Sequence, residues 1–108
     1  MASKRLTDEA FELIALRFKI LSEPLRLKII HLLQEGERSV SELKDELNTS
    51  QPNVSKHLRI LQDAGLVNRR QEGNLVYYSI ADESVFALCE TVCSSLEQRF
   101  KNQARIFT

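Results

Sequence analysis

Apolar and polar positions recur along this chain at helical spacing in five segments and at strand spacing in two. Phe11, Ile14, Phe18 and Leu21 make one stripe, which predicts a helix from about Asp8 to Leu21 with Thr7 as its cap. Leu13, Leu16 and Ile20 widen that stripe beyond a single face. Leu25, Ile29 and Leu32, with Ile30 and Leu33 alongside, predict a second helix. It starts at Ser22, carries Pro24 in its first turn and stops before Gly36.

Ser39-Val40-Ser41-Glu42 fits a capping box, and Leu43 and Leu47 continue a short amphipathic helix. Asn48 and Thr49 supply a polar turn, with Asn48 suited to the left-handed conformation. Ser50 then caps a helix over 50–61, with Pro52 in its first turn. Val54, Leu58 and Leu61 form its narrow apolar stripe. Gln51, Asn53, Ser55, Lys56, His57 and Arg59 occupy the remaining surface. Such side chains hydrogen-bond base edges and phosphates, although the pattern equally suits a solvated surface helix.

Gly65 follows Asp63-Ala64, where a helix end favours positive φ. Residues 66–71 read as a strand, Glu72-Gly73-Asn74 as a hairpin turn, and 75–80 as a β-branched and aromatic return strand. A short helix, a turn, a donor-rich helix and a hairpin predict a mostly α fold with a two-stranded β-wing, a winged helix-turn-helix. Arg69 and Arg70 would put positive charge beside the reading helix, within reach of the same DNA backbone. The last helix runs from after Asp82 to about Lys101, with Val85, Cys89, Val92, Leu96 and Phe100 as a seam. The end from Asn102 to Thr108 is expected to fray.

Composition narrows the picture. The chain has 108 residues and a formal net charge of zero, which fits one domain over 1–108. Charge is unevenly placed: between Ser50 and Arg70 four bases face one acid, Asp63. That balance suits specific DNA binding over general polyanion binding. There is no membrane-length apolar run and no apolar signal core near the start, so a cytoplasmic location is expected. Two cysteines do not make a disulfide framework. Glycine-rich phosphate loops and catalytic groupings are absent, and no enzyme is expected. His31, among apolar residues, reads as a partly buried structural histidine.

Four stretches together resemble the ArsR/SmtB family of bacterial repressors. They are Ser22-Glu-Pro-Leu-Arg-Leu-Lys-Ile-Ile30, the SVSEL of 39–43, SQPNVSKHLRILQDAGLV of 50–67 and RRQEGNLVYYSI of 69–80. The resemblance covers roughly residues 10 to 100. It implies a homodimer, formed by the first and last helices, that binds a partly palindromic double-stranded operator and leaves it when an inducer binds. Two metal positions of the family are unmatched. Ser41 to Leu47 holds no cysteine, and Asp82 to Lys101 holds no histidine.

Cys89 and Cys93 remain as a candidate inducer site. Residues at i and i+4 of a helix share a face, with Cβ atoms about 5–6 Å apart. Two thiolates there could hold As(III) or another thiophilic ion, with further ligands from a partner subunit or solvent. Otherwise no cofactor is called for. Alternatives are a thiol redox or reactive-sulfur sensor, a dimeric DNA-binding or adaptor module without an inducer site, or cysteines that only pack.

Overall fold

The computed structural model describes residues 5–101 and Ile106; the stretch expected to fray otherwise lies outside the described residues. In chain order it forms α1 (Asp8–Leu21), α2 (Pro24–Leu33), β1 (Arg38–Ser39), α3 (Val40–Leu47), α4 (Gln51–Asp63), β2 (Val67–Glu72), β3 (Leu75–Ile80) and α5 (Ser84–Arg99).

Local chemistry sets the helix starts. Thr7 Oγ1 accepts from the Ala10 N–H at 3.1 Å, and Ser50 Oγ accepts from Asn53 N–H at 3.3 Å. Ser39 and Glu42 complete the reciprocal capping box of α3, at 3.0 and 2.9 Å. Asn48 ends α3 in the left-handed region, φ 51° and ψ 51°.

Three features differ from expectation. Ser22 does not start α2. Its hydroxyl donates to the Lys19 carbonyl at 2.6 Å and closes α1, so α2 starts at Pro24 with Glu23 as its cap residue. The wing also gains a third strand. β1 pairs antiparallel with β3, Arg38 opposite Tyr78 and Ser39 opposite Tyr77, giving the order β1-β3-β2. In the hairpin Glu72 pairs with Leu75, so the loop is Gly73-Asn74 alone. Gly73 takes φ +61°, the positive value that a tight hairpin loop places on glycine.

The core is built by α2, α3, α4 and the base of the wing. Ile29, Leu43, Val54, Leu58, Leu61 and Leu66 are fully buried. Sequestering side chains of this size stabilises by about 1.5–3 kcal/mol each. The terminal helices contribute little to it. The fourteen residues of α1 bury only Leu21, and the sixteen of α5 bury only Val85. Phe11, Leu13, Leu16 and Phe18 of α1 are each more than half exposed, and Val92 and Leu96 of α5 nearly so. No helix among the described residues is long and apolar enough to cross a membrane.

Candidate nucleic-acid interface

α4 lies with its apolar side on the core and its polar side outward. Gln51, Ser55 and Arg59 follow one another at four-residue spacing, and Gln62 continues the stripe. All four are exposed and line a cleft of about 680 Å³ between α4 and the wing. Arg69 and Asn74 enter the cleft from the hairpin, and Ser41 from the start of α3. Gln62, Ser41 and Asn74 were not among the sequence candidates. Gln62 stands three residues beyond Arg59, a spacing that would have shown it.

The other candidates have different positions. Lys56 is exposed but lies off the cleft stripe. Asn53 is half-buried, and its side-chain N–H donates to Thr49 Oγ1 at 3.0 Å across the turn. Its amide therefore braces the turn while its carbonyl oxygen stays unused within the chain.

His57 is not the surface contact expected from the sequence. Only 7 % of it is exposed, and its Nδ1 accepts from Arg26 Nε at 3.1 Å. Val54, His57, Leu58 and Leu61 are the four buried positions of α4, at the i, i+3, i+4, i+7 spacing of one helix face. Burial and the nearby Lys56 and Arg26 cations push the imidazole below its usual pKa. His31 also departs from expectation: it is exposed, beside Phe86 and Cys89.

Arg69 and Arg70 separate. Arg69 faces the cleft, and its Nη2 donates to Gln71 at 3.4 Å. Arg70, expected at the DNA backbone, is engaged within the protein. It donates to both carboxylate oxygens of Glu37, at 3.0 and 2.8 Å, and to Glu72 at 2.9 Å. Its guanidinium also lies 4.6 Å from the Tyr77 ring centroid. The hydrogen bonds from Arg70 hold Glu37 below the usual carboxylate range.

A second arginine ties α1 to the end of α4. Arg17 donates to the Ala64 carbonyl at 3.2 Å and to Asp82 at 3.5 Å, just ahead of α5. A helix, a turn, a second helix set into the core and a following antiparallel hairpin make a winged helix-turn-helix. A sequence model described as "Bacterial regulatory protein, arsR family" matches residues 23–69. An uncharacterized HTH-type transcriptional regulator of Methanocaldococcus jannaschii is 41% identical over 85 residues, 78% of this chain and 96% of that protein.

This chain belongs to the arsR family. It is a transcriptional regulator of that family, with the winged helix-turn-helix fold. It is also 35% identical to a biofilm growth-associated repressor of Agrobacterium fabrum, over 82% of this chain and 72% of that one. Among solved structures it resembles a homodimeric winged helix-turn-helix DNA-binding domain from Mycobacterium bovis. That likeness has a TM-score of 0.72 and 34% identity, and covers 87% of this chain and 91% of the other.

The two cysteines lie on α5 and line an apolar groove with Phe18 and Leu21 of α1 and Leu27 of α2. Cys89 is half-buried, and burial raises its thiol. Cys93 is exposed and donates to Glu97 at 3.2 Å. That hydrogen bond, chiefly, and the Glu97 and Glu90 charges raise its thiol too. Among the described residues no group of three His, Cys, Asp or Glu side chains is placed to hold a metal ion.

Proposed function

We propose that this arsR-family chain is a homodimeric repressor that binds an inverted-repeat DNA operator and leaves it when an inducer acts. The observation that carries the reading is the polar stripe Gln51, Ser55, Arg59 and Gln62 facing Arg69 across an open cleft. Gln51 and Ser55 offer the donors and acceptors that read base edges in a major groove. Arg59 and Arg69 supply charge for the phosphates alongside. Lys56 and the free carbonyl of Asn53 add contacts at the rim. The whole chain acts as one domain in the cytoplasm, where the operator is.

The apolar faces of α1 and α5 support the dimer. Phe18, at 52 % exposure, and Leu96, at 40 %, lie on one groove that a single chain leaves open. A second copy covering it would set two reading helices about one DNA turn or its multiple apart. The homodimeric domain from Mycobacterium bovis supports a dimer.

The inducer site is assigned to Cys89 and Cys93, with As(III) or another thiophilic ion as first choice. As(III) and similar soft ions prefer thiolate ligands, and the chain offers few other soft ligands; both raised thiols would release their protons on binding. Further ligands would come from the partner subunit or solvent. The second reading is oxidant or reactive-sulfur sensing, favoured by the exposure of Cys93.

The test is operator binding by fluorescence anisotropy, followed by release on adding arsenite, Cd(II), persulfide or peroxide separately. Cys89→Ser and Cys93→Ser should bind the operator like wild type and lose release by the effective agent. If both variants release like wild type, the cysteines only pack. Binding that ignores half-site spacing would overturn the inverted-repeat reading, and no DNA binding at all would leave an adaptor role.

A further inference from the structure

We propose that Arg26 is a positioning residue of the reading helix, holding α4 through a hydrogen bond to neutral His57. This rests on the reading of α4 as the DNA-reading helix. Arg26 leaves α2 toward two partners. Its Nε donates to His57 Nδ1 at 3.1 Å, and its Nη1 donates to the Ile20 carbonyl at 2.9 Å. One rigid guanidinium thereby connects the last turn of α1 to the buried face of α4. The bond lies on the side of α4 away from the cleft, so Arg26 acts on DNA through His57 and not by contact.

The geometry fixes the protonation state. A guanidinium has only donors, so His57 Nδ1 must present a lone pair. Its proton, when neutral, sits on Nε2. Adding a proton to Nδ1 sets two donors against each other and two positive charges side by side. The charged groups acting on His57 are Lys56 on its own helix, Arg26 on α2 and Glu23 at the head of α2. No charged group of α3 or β2 is among them. Only Glu23 favours the protonated ring, and burial and both cations oppose it. Protonation therefore removes the strut, and α4 is then held by its apolar face of Val54, Leu58 and Leu61 alone.

Operator and nonspecific DNA affinity would be measured between about pH 5 and 8, the range in which imidazole titrates. Wild type should lose operator affinity toward the acid end. His57→Asn supplies an amide oxygen near the Nδ1 position and does not titrate. It should keep most of the neutral-pH affinity and show no acid loss. Arg26→Gln should bind the operator roughly tenfold more weakly than wild type at neutral pH, the scale of one lost bond to a charged group, and the gap should close toward the acid end. Its circular dichroism and sedimentation should remain those of wild type, which separates positioning from unfolding. Nitrogen NMR should show an unprotonated Nδ1 in wild-type His57 at neutral pH. The proposal is overturned if His57→Asn loses affinity in acid like wild type, if Arg26→Gln binds like wild type, or if Nδ1 carries the proton. Wild type that binds no operator at neutral pH overturns the DNA reading itself, and this proposal with it.

Discussion

Arg69 and Arg70 are adjacent on β2 and serve opposite sides of the wing. Arg69 lines the cleft beside Arg59, and Arg70 is held by Glu37 and Glu72 over the Tyr77 ring. The cause is the two-residue alternation of a strand. A pair that counts as two positive charges in sequence supplies one free charge at the cleft. The other cation is offset by two carboxylates and works as a clip between the loop before β1 and the hairpin.

The two arginines should therefore separate experimentally. Arg69→Ala should weaken cognate and nonspecific DNA alike. It should also reduce the slope of log affinity against log salt by about 0.9, the contribution of one phosphate contact. Arg70→Ala should leave that slope unchanged, and hydrogen exchange in the wing should increase. Equal salt slopes for the two variants would show that Arg70 leaves its carboxylates for DNA.

The exposed faces of α1 and α5 give a second prediction. Phe18→Glu and Leu96→Glu each put a charge into the open apolar groove without touching the buried core. Both should sediment as monomers at concentrations where wild type is dimeric, because a desolvated carboxylate is costly in a closed interface. Operator affinity should fall roughly tenfold or more, since two half-sites are then bound independently. A dimer that survives both changes would mean that another surface joins the copies.

The features legible in the sequence are the local ones. Thr7, Ser39 and Ser50 satisfy N–H groups within three residues of themselves, so the helix starts could be read directly. The apolar stripe Val54, Leu58 and Leu61 also fell where spacing put it. What escaped depends on partners far along the chain. β1 has two residues and exists through pairing with Tyr77 and Tyr78. Arg70 meets Glu37 across a separation of 33 residues, and Arg26 meets His57 across 31. His57 was a different kind of miss. Its i+3 spacing from Val54 places it on the buried face, whereas its polarity alone suggests the surface.

Acid should destabilise the fold in two stages. His57 has a lowered pKa in the folded chain, so an unfolded chain takes up that proton first. Stability is full above about pH 6.5, the ordinary imidazole value, and begins to fall below it. Glu37, Glu42 and Asp82 are likewise lowered, chiefly by hydrogen bonds from Arg70, Ser39 and Ser84. Their contribution is present above the ordinary carboxylate range of about 4 and is lost as pH falls through it. Urea midpoints across this range should show both stages, and His57→Asn should remove the upper one. A single carboxylate stage in wild type would contradict the buried neutral imidazole.

Asn48 gives the sharpest test of the turn between α3 and α4. It is the only non-glycine residue with positive φ among the described residues, at φ 51° and ψ 51°. Its N–H donates to Asp45 at 3.3 Å, and the next N–H, of Thr49, donates to Lys44 at 3.3 Å. Both orphan carbonyls at the end of α3 are satisfied only while Asn48 keeps this conformation. Asn48→Ala retains a Cβ and loses the local side-chain compensation, so it should cost about 1 kcal/mol or more. Asn48→Gly removes the Cβ penalty and should lie within a few tenths of a kcal/mol of wild type, the steric gain offset by unfolded-state entropy. Because the turn sets how α4 leaves α3, the alanine variant should also bind operator DNA more weakly than the glycine variant. Urea unfolding of the three proteins orders them. An alanine variant as stable as the glycine one would show that the left-handed backbone at residue 48 is not required.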